Sequence, residues 1–533
     1  MREADRRRLI EEIESLGGVV EEQPEMPQDW PPEKKIITVE VGELPAVVDE
    51  AEQVLLPHAR RLGLFQRGGE LVRITRLPTR KIGAGLDRPE GTLQLTPVRS
   101  AWLLETLEAL AEFEKPTEKG PQQINCPNKI PTTYLARTSS WKLPALEGII
   151  SAPLMRGDGS ILDRPGYDSV TGLYFASRES WPRIPSRPTR EDAAESLRIM
   201  LDPFDQFPFV EQQDRAVHAA AILTAIQRRL LAACPITGYS APCQRTGKSL
   251  LSESVAIIAI GKPAPATSAS PHREEIRKSV TAALREGHPV INLDNIEHVL
   301  HSPDLARAIT QGEYADRLLG ENKMLRLPTT VLWLATGNNL AFRGDLSSRA
   351  LISRIDAGQE RPEQRTFKIP NLPEYLREKR RELVAAALTL LRAYRLAGRP
   401  MRDLPPWGGF ETWSAEIREP LVWAGAADPC LTRQAVIDDD PDRESTATLL
   451  AALQTTFQGD SFTIKEVMDR ATPLLDPNLR EALLAVAGHK DNIDSRALGW
   501  WARRWRDRIV DRRRLRRANT ESTSAAKWRI EES

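Results

Sequence analysis

The middle of the chain is patterned as short apolar runs that end on polar residues. Such runs predict buried strands over Pro235–Ala241, His288–Asn295 and Thr330–Asn339. The segment LLSESVAIIAIG, after the first run, has the apolar spacing of a helix that Gly261 closes. Strand, loop and helix follow one another here, so we expect an α/β unit at the centre of the chain.

The first third of the chain has a different pattern. After a proline-rich stretch at Gln23–Glu33, KKIITVEVG predicts a strand, ELPAVVDEAEQVLL a helix and RGGELVRIT one arm of a hairpin. From Leu146 to Phe175, short apolar pieces divided by GDG and PGYDSVTG predict a small β-meander. This part is expected to be a small α+β domain.

The last third is predicted to be mainly helical. EYLREKRRELVAAALTLLRAYRL, within Glu363–Leu396, has the apolar stripe of a long helix, either a lid or a connector between domains. The patterns DSFTIKEVMDRA, NLREALLAVAG and SRALGWWARRWRDRIV then precede two short strand-like pieces. Three helices followed by a β-hairpin predict a winged helix, whose third helix enters the major groove of DNA. The spacing of Trp500, Trp501 and Trp505 places at least Trp501 and Trp505 on one helical face, which favours packing in the core over stacking on bases.

A candidate phosphate-binding loop follows the first predicted strand, where Ser240–Leu251 reads SAPCQRTGKSLL. In the pattern G-x-x-x-x-G-K-[ST], Gly247 allows close backbone approach, Lys248 reaches the β and γ phosphates, and Ser249 ligates Mg²⁺. Pro242 replaces the first glycine of the pattern. A chance GKS at a helix start is the alternative. The predicted ATP-binding residues of the loop are Pro242, Cys243, Gln244, Arg245, Thr246, Gly247, Lys248, Ser249 and Leu250.

Three later segments make a chance match less plausible. HPVINLDN ends an apolar run on Asp294, the kind of strand-end acid that holds Mg²⁺. TVLWLATGNN ends on Asn338 and Asn339, which are polar residues suited to sensing a γ-phosphate. GDLSSRALISRID then offers Arg349 and Arg354 as cations for a neighbouring subunit's γ-phosphate. Each alone is also typical of a solvated strand end or a surface ion pair, but their order within one domain length favours an ATPase.

GKS, LDN, ATGNN and DLSSR together resemble an AAA+ P-loop ATPase. More specifically, the chain is similar to the helicases of phages and integrated mobile elements, relatives of the superfamily III viral and MCM-like replicative helicases. PGYDSVTGLYF, DRLLGENKMLRLPTTVLWLATGNN and FETWSAEIREPLVWAGAADP also resemble phage primase-helicase proteins, so the resemblance covers about residues 120–533. It implies an ATP- and Mg²⁺-dependent DNA helicase that forms a homo-oligomeric ring, expected to be a hexamer, with a separate primase as a candidate partner.

The resemblance also implies roles for single residues at the nucleotide. Lys248 and Ser249 are expected to bind phosphate and Mg²⁺, and Asp294 to bind Mg²⁺ as well. Asn338 or Asn339 is expected to be the first sensor of the γ-phosphate.

Further roles remain open between alternatives. Arg349 is favoured as the arginine finger, with Arg354 close behind because it lies in SRID, where MCM-like proteins have S-R-F-D. Asn295 departs from the family, since such ATPases commonly carry there a second acid that polarises the attacking water. Asparagine orients a water but cannot take its proton, so Glu297 is a substitute if a turn follows the strand directly. Arg418 is a candidate second sensor, with a surface ion pair as the alternative.

Two basic segments are candidate DNA contacts. In the resembling helicases a hairpin before the first sensor grips single-stranded DNA in the ring channel, and GENKMLRL places Lys323 and Arg326 there. Arg503–Arg517 is a basic run that a winged helix would present to duplex DNA. The alternatives are a solvated loop for the first and a solvated or protein-binding helix face for the second. The candidate contacts of the second segment are Arg503, Arg504, Arg508, Arg512, Arg513 and Arg514.

Composition adds limits rather than chemistry. Lys plus Arg and Asp plus Glu both total 74, so the zero net charge says nothing about nucleic acid. The apolar runs are far shorter than the roughly twenty residues that a bilayer requires, and the charged start is not a signal peptide. The four cysteines lack C-x-x-C spacing. We therefore expect a cytoplasmic protein with no membrane partner, zinc site or disulfide framework.

At 533 residues the chain is expected to form about three or four domains. The predicted divisions are a charged N-terminal segment over 1–36 that is a candidate for disorder, an N-terminal α+β domain over 37–185, an AAA+ ATPase core over 186–358, a helical lid or connector over 359–437, and a winged-helix domain over 438–533. Two hypotheses follow. One is a ring-forming helicase for replication of a phage or mobile element, which Lys323 favours. The other is an ATP switch that assembles on an origin or recruits partners without unwinding, which Asn295 favours.

Overall fold

The chain is an α/β multidomain protein built around a five-stranded parallel sheet. A computed structural model describes residues 34–76, 80–82, 86–88, 93–138, 140–177, 179–268, 270, 272–317, 324–401, 403–489, 492–518 and 526–532. Most of the charged segment predicted over 1–36 lies outside these residues, and so does Lys323 of the predicted channel hairpin.

The N-terminal unit packs three helices against small sheets. The helices are α1 (Leu44–Leu55), α2 (Ser100–Leu110) and α3 (Lys129–Ala136). The strands are β1 (Lys35–Thr38), β2 (Leu64–Arg67), β3 (Glu70–Arg76), β4 (Arg80–Ile82), β5 (Leu86–Arg88), β6 (Leu93–Pro97), β7 (Ala111–Thr117) and β8 (Gly120–Ile124). β1 is parallel to β7, whereas β2, β3 and β6 form an antiparallel sheet. Leu55, Leu103 and Ile130 are fully buried. The predicted strand, helix and hairpin arm are confirmed.

The meander predicted after Leu146 is only partly correct. The strands here are β9 (Gly148–Ile150), β10 (Leu154–Met155), β11 (Ile161–Leu162), β12 (Gly166–Asp168) and β13 (Leu173–Phe175). β10 and β11 form an antiparallel pair, but β13 lies between β12 and β9 and is parallel to β9. A parallel pair requires the chain to cross back, which turn residues alone do not predict.

The central sheet has the order β15-β16-β19-β14-β20, and every neighbouring pair is parallel. Its strands are β14 (Ile236–Ala241), β15 (Ala266–Ser268), β16 (Val290–Ile296), β19 (Leu332–Asn338) and β20 (Ala350–Arg354). The predicted strands are confirmed as β14, β16 and β19. β14 is buried at every position, as expected for an inner strand of a parallel sheet. Since all strands run the same way, the loops after β14, β16 and β19 meet at the carboxyl edge, where ligands of such sheets bind.

Helices and one hairpin surround this sheet. The helices are α4 (Arg190–Leu201), α5 (Gln212–Gln227), α6 (Lys248–Ile260), α7 (Arg273–Glu286) and α8 (Pro303–Thr310). Between β16 and β19, β17 (Glu313–Arg317) and β18 (Met324–Pro328) pair as an antiparallel hairpin. The hairpin expected before ATGNN is therefore present, with its tip outside the described residues.

The long helix predicted within Glu363–Leu396 is confirmed as α9 (Leu372–Leu396). It packs along α4 and α6. Its buried Arg380 donates to the carbonyl oxygens of Ile258 (3.1 Å) and Ala259 (3.1 Å) at the end of α6, and to that of Ser151 (2.9 Å). These contacts hold α9 against the end of α6 and against the segment between β9 and β10. A lid over the nucleotide gains no support from them.

The C-terminal part is helical and ends in a small antiparallel sheet. Its helices are α10 (Glu411–Trp413), α11 (Glu419–Trp423), α12 (Arg433–Asp438), α13 (Pro441–Phe457), α14 (Ile464–Arg470), α15 (Pro477–Ala487) and α16 (Ser495–Trp505). Its strands are β21 (Phe462–Thr463), β22 (Gly488–His489), β23 (Asn492–Ile493), β24 (Ile509–Val510), β25 (Arg513–Arg517) and β26 (Lys527–Glu532). β21, β26, β25 and β24 form one sheet in that order. The three predicted helices are confirmed as α14, α15 and α16.

Candidate functional site

The loop between β14 and α6 turns sharply at the carboxyl edge of the sheet. Gly247 has a φ of 110°, and a Cβ on it would lie 2.9 Å from Cε1 of Phe207. Arg245 also has a positive φ, 60°. A side chain at Gly247 would meet both strain and a clash, so glycine is required there. The turn directs the first backbone N–H groups of α6 towards the open side of the loop, which is how a helix N-terminus binds anions.

Lys248 lies under this loop and bridges it to β19. Its Nζ donates to the carbonyl oxygen of Cys243 and to Oδ1 of Asn338, both at 2.8 Å. The hydroxyl of Thr246 donates to the same Cys243 oxygen at 2.9 Å. Burial lowers the pKa of Lys248 below its ordinary value. The structure thus brings together Lys248 and Asn338, which lie 90 positions apart in the sequence.

Asp294 and Ser249 lie beside this pair. The Ser249 hydroxyl donates to Oδ1 of Asp294 at 3.4 Å, and the same oxygen accepts a 2.6 Å hydrogen bond from the Thr336 hydroxyl. The amide of Asn292 is 3.4 Å from it as well. The hydroxyl and the carboxylate predicted to ligate Mg²⁺ are therefore adjacent, and the buried Thr336 fixes the orientation of the carboxylate.

β16 is irregular at Asn295, one position before its last residue. The pairing of β16 with β19 shifts register between Leu293 and Ile296, and Asn295 between them has a φ of 51°. The backbone N–H of Asn295 donates to the Thr336 hydroxyl at 3.0 Å, and its side-chain amide donates to Oε1 of Glu297 at 3.0 Å. Asn295 and Glu297 are both exposed at the sheet edge, so an amide and a carboxylate are available together beside Asp294.

Asn338 and Asn339 face different partners. Asn338 holds Lys248, as described above. The exposed Asn339 has a φ of 46° and donates its backbone N–H to the carbonyl oxygen of Ala241 at 3.1 Å, which ties β19 to the start of the loop. Of the two candidate sensors, the structure places the Asn338 side chain at the lysine.

Arg349 and Arg354 lie at opposite ends of β20. Arg349 ends the 3₁₀ helix Gly344–Arg349, before the strand, and donates to the carbonyl oxygen of Ala306 at 2.6 Å and to the Thr310 hydroxyl at 3.1 Å. Arg354 ends the strand, opposite Ser240, and pairs with Asp439 at 2.7 Å. Because β20 and β14 are parallel, Arg354 is at the edge of the loop and Arg349 at the other edge.

The 3₁₀ helix that carries Arg349 is anchored to the C-terminal part. The buried carboxylate of Asp440 accepts the N–H of Gly344 at 2.9 Å and the Ser347 hydroxyl at 3.0 Å. Asp442 pairs with Arg343 at 2.8 Å and with Arg504 of α16 at 3.0 Å. A direct chain of polar contacts therefore connects α16 to the Arg349 element.

The structure does not support Arg418 as a second sensor. Its side chain is only 2% exposed and forms a two-pronged pair with Asp428, at 2.8 and 2.6 Å. Its third nitrogen donates to the carbonyl oxygen of Pro405 at 2.6 Å. A buried guanidinium held in this way does not face a nucleotide. The alternative, a surface ion pair, is correct about the pairing but not about its place, since the pair with Asp428 is buried.

The candidate DNA-binding cations differ in how free they are. Arg326, on β18, is exposed and pairs with Glu313 across the hairpin at 3.1 Å. In the C-terminal part, Arg504 pairs with Asp442, Arg514 pairs with Glu531 at 3.1 Å, and Arg513 donates to Gln454. The remaining candidates form no ion pair with another described residue, and they are Arg503, Arg508 and Arg512.

The tryptophans of α16 have three different environments. Trp501 is 8% exposed and donates its indole N–H to the Thr446 hydroxyl at 3.1 Å, and Trp505 is partly buried against the same core. Trp501 and Trp505 thus share the core-facing side, as predicted, whereas Trp500 is 70% exposed. It lies about 100° around the helix from Trp501, and the core is on the Trp501 side.

Sequence reasoning missed two residues of the site. Thr336 lies inside the ATGNN segment, where only the asparagines were predicted to act. Its hydroxyl contacts both Asp294 and Asn295. Phe207, which packs on Gly247, has no local signal because it comes from a separate part of the chain.

Other site classes have no counterpart in the part of the chain that the structure describes. Within it, no helix combines the length and the apolar character needed to cross a bilayer. The same residues contain no group of three or more His, Cys, Asp or Glu side chains placed to bind a metal.

Comparisons with known proteins give only distant matches. No protein-family model matches the chain, and no curated protein does. Among solved structures, the apo C-terminal region of NrS-1 matches with 9% identity and a TM-score of 0.32, over 82% of this chain and 93% of that one. SCCmec type IV Cch, an active helicase, matches with 12% identity and a TM-score of 0.33, over 88% and 97%. JCV helicase matches with 15% identity and a TM-score of 0.20, over 44% and 67%. At these TM-scores the similarities establish neither the fold nor the activity of this chain.

Proposed function

We propose that this protein is an ATP-dependent DNA helicase, a ring-forming AAA+ motor that translocates on single-stranded DNA during replication of a phage or mobile element. One observation carries the proposal. Lys248 Nζ lies 2.8 Å from Asn338 Oδ1, and beside them Ser249 Oγ lies 3.4 Å from Asp294 Oδ1, all at one sheet edge. A cation, a hydroxyl and a carboxylate at a helix N-terminus after a buried strand are the groups that bind a magnesium-bound nucleotide.

The residues present fit ATP with Mg²⁺. The loop has the glycine turn that lets backbone N–H groups approach phosphates, and Pro242 removes only one N–H from it. Mg²⁺ supplies neutralisation of charge on the phosphates. Ser249 and Asp294 would hold the metal, Lys248 would exchange its two protein partners for phosphate oxygens, and Asn338 would then be free to contact the γ-phosphate.

Activation of the attacking water is assigned to Asn295 and Glu297 together. Asn295 orients the water, and Glu297, whose carboxylate is 3.0 Å from the Asn295 amide, accepts its proton. The left-handed backbone at Asn295 and its 3.0 Å hydrogen bond to Glu297 support this assignment.

DNA contact is assigned to two places. The β17–β18 hairpin, with Arg326 exposed at its side and Lys323 expected at its tip, would follow the single strand through the ring. α14, α15 and α16, followed by the strands β24, β25 and β26, would act as a winged helix that contacts duplex DNA through Arg503, Arg508 and Arg512.

The ATP switch without unwinding is the second candidate. The missing acid at Asn295 favours it, because a weak water-activating site lowers turnover without abolishing nucleotide binding. The position of Glu297 weighs against it, since that carboxylate supplies what Asn295 lacks.

Unwinding of a forked DNA duplex with ATP and Mg²⁺ tests the proposal. We expect the wild type to separate the strands and Lys248→Ala to fail. Lys278→Ala is the matched control, because this exposed lysine on α7 only pairs with Glu275 at 2.7 Å. Binding of ATP and DNA by the wild type without strand separation would refute the helicase and favour the switch.

A further inference from the structure

The exposed face of α16 carries an aromatic residue between two arginines. Arg496, Gly499, Trp500 and Arg503, here called the Trp500 stripe, follow one another at positions i, i+3, i+4 and i+7, which share one side of a helix. The opposite side buries Leu498, Trp501 and Ala502 in the core. The stripe is therefore turned away from the core of its own unit.

Trp500 is the exception among the tryptophans that the structure describes. It is 70% exposed, whereas every other described tryptophan is buried or partly buried. The guanidinium of Arg503 lies 4.9 Å from the centre of its ring and has no carboxylate partner among the described residues. A cation on one side of an indole leaves the other side for a second flat group and strengthens stacking there.

Gly499 leaves room beside the ring. Glycine inside a helix costs about 1 kcal/mol relative to alanine. The atom nearest to a Cβ on Gly499 would be a nitrogen of Arg503, at 3.8 Å, so no close packing within the protein explains the glycine. Trp500 and Gly499 thus lie together on the Trp500 stripe, and packing among the described residues accounts for neither.

We propose that the Trp500 stripe binds an unpaired nucleotide of DNA, with its base stacked on Trp500 and its backbone phosphates contacted by Arg496 and Arg503. In duplex DNA the faces of each base are covered by the neighbouring base pairs. Only an unpaired base can therefore stack on the free face of the Trp500 ring. The two arginines lie two helical turns apart, about 10 Å along the axis, and offer positive charge on either side of the ring. This inference rests on the proposed helicase function, and it makes the C-terminal unit a binder of the junction between duplex and single strand.

Binding of two DNAs by the full chain separates this role from general duplex affinity. The probes are a blunt duplex and the same duplex with an unpaired oligo-dT tail, each labelled for fluorescence anisotropy. Trp500→Ala should weaken binding of the tailed duplex about tenfold or more, as loss of one base–aromatic stack does, and leave binding of the blunt duplex unchanged. Trp500→Phe should retain most of the preference. Leu475→Ala, which alters another exposed apolar residue of the same unit (71% exposed), should change neither.

Several results would overturn the inference. Equal weakening of both DNAs would make Trp500 a duplex contact, and no change in either would remove it from DNA binding. A change in oligomer size with unchanged DNA affinity would make the stripe an interface between copies of the chain. If the wild type binds and unwinds DNA while Trp500→Ala does so equally well, this inference alone fails. If the wild type binds neither DNA, the proposed function fails with it.

Discussion

The Thr336 hydroxyl offers the sharpest test of how the strand-end acid is held. It donates to Asp294 at 2.6 Å and accepts the backbone N–H of Asn295 at 3.0 Å. Thr336→Val keeps the shape of the side chain and leaves no cavity, so that the variant removes these two hydrogen bonds and little else. Thr336 itself is only 1% exposed, and no water reaches it to replace the hydroxyl.

The size of the effect follows from the two partners. A hydrogen bond to a charged group contributes about 1.5–3 kcal/mol. The backbone N–H of Asn295 loses its acceptor as well. We therefore expect a loss of about 1.5–3 kcal/mol in the free energy of unfolding, and a fall in kcat of about tenfold or more because Asp294 loses its fixed orientation. Affinity for ATP should change less than kcat.

Urea unfolding and steady-state ATPase activity measure the two quantities. Ser353→Ala is the matched control, because this buried hydroxyl on β20 has no hydrogen-bond partner among the described residues. We expect it to change the free energy of unfolding by about 1 kcal/mol or less and to leave kcat as it is. If Thr336→Val matches Ser353→Ala in both measurements, Thr336 does not position Asp294.

Three further predictions concern oligomerisation, the C-terminal anchor and pH. Mixtures of Lys248→Ala and Arg349→Ala subunits should hydrolyse ATP although neither variant does so alone, because some junctions join an intact loop to an intact arginine; an inactive mixture would refute a finger in trans. Asp440→Ala removes a helix cap and the anchor of the Arg349 element, so it should cost about 1–2 kcal/mol in urea unfolding and lower ATPase activity, whereas Asp438→Ala at an exposed site should do neither. Burial lowers the pKa of His218 from 6.5 to about 3, so the unfolded state takes up the proton first as pH falls. Its contribution to stability is complete above pH 6.5 and is lost below that pH at about 1.4 kcal/mol per pH unit. The free energy of unfolding should therefore fall between pH 6.5 and pH 5, and it should fall less in His218→Asn.

The elements around the loop could be predicted from sequence because their signals are local. β14, β16 and β19 are continuous apolar runs, and α6 begins after Gly247 and ends at Gly261, the two positions where a positive φ demands glycine. The hairpin before β19 was expected from the resemblance to phage helicases rather than from a pattern of apolar positions. Such patterns depend on neighbours within one element, so tertiary structure did not overrule them.

The features that the sequence did not predict depend on contacts between distant parts of the chain. Arg418 has the sequence context of a helix-borne cation, and only the fold reveals that Asp428 and Pro405 enclose it. The helical spacing put Trp501 and Trp505 on one face but did not decide where Trp500 lies, and only the fold shows that it is turned out of the core, about 100° from Trp501. The contact between Asp440 and the Arg349 element joins residues more than 90 positions apart, so no window of sequence contains it.

The direction of β20 decides what each candidate finger can do. β20 has five residues and is parallel to β14, so the edges that Arg349 and Arg354 occupy are about 16 Å apart. An arginine side chain extends less than half of that distance, and Arg349 therefore cannot reach a phosphate held by Lys248 of its own chain. If Arg349 is the finger, a second copy of the chain has to supply it, and hydrolysis depends on assembly. Arg354 lies beside Ser240 at the near edge and would have to release Asp439 before it contacts a phosphate of either chain. Dependence of ATPase activity on protein concentration is therefore what the Arg349 assignment requires.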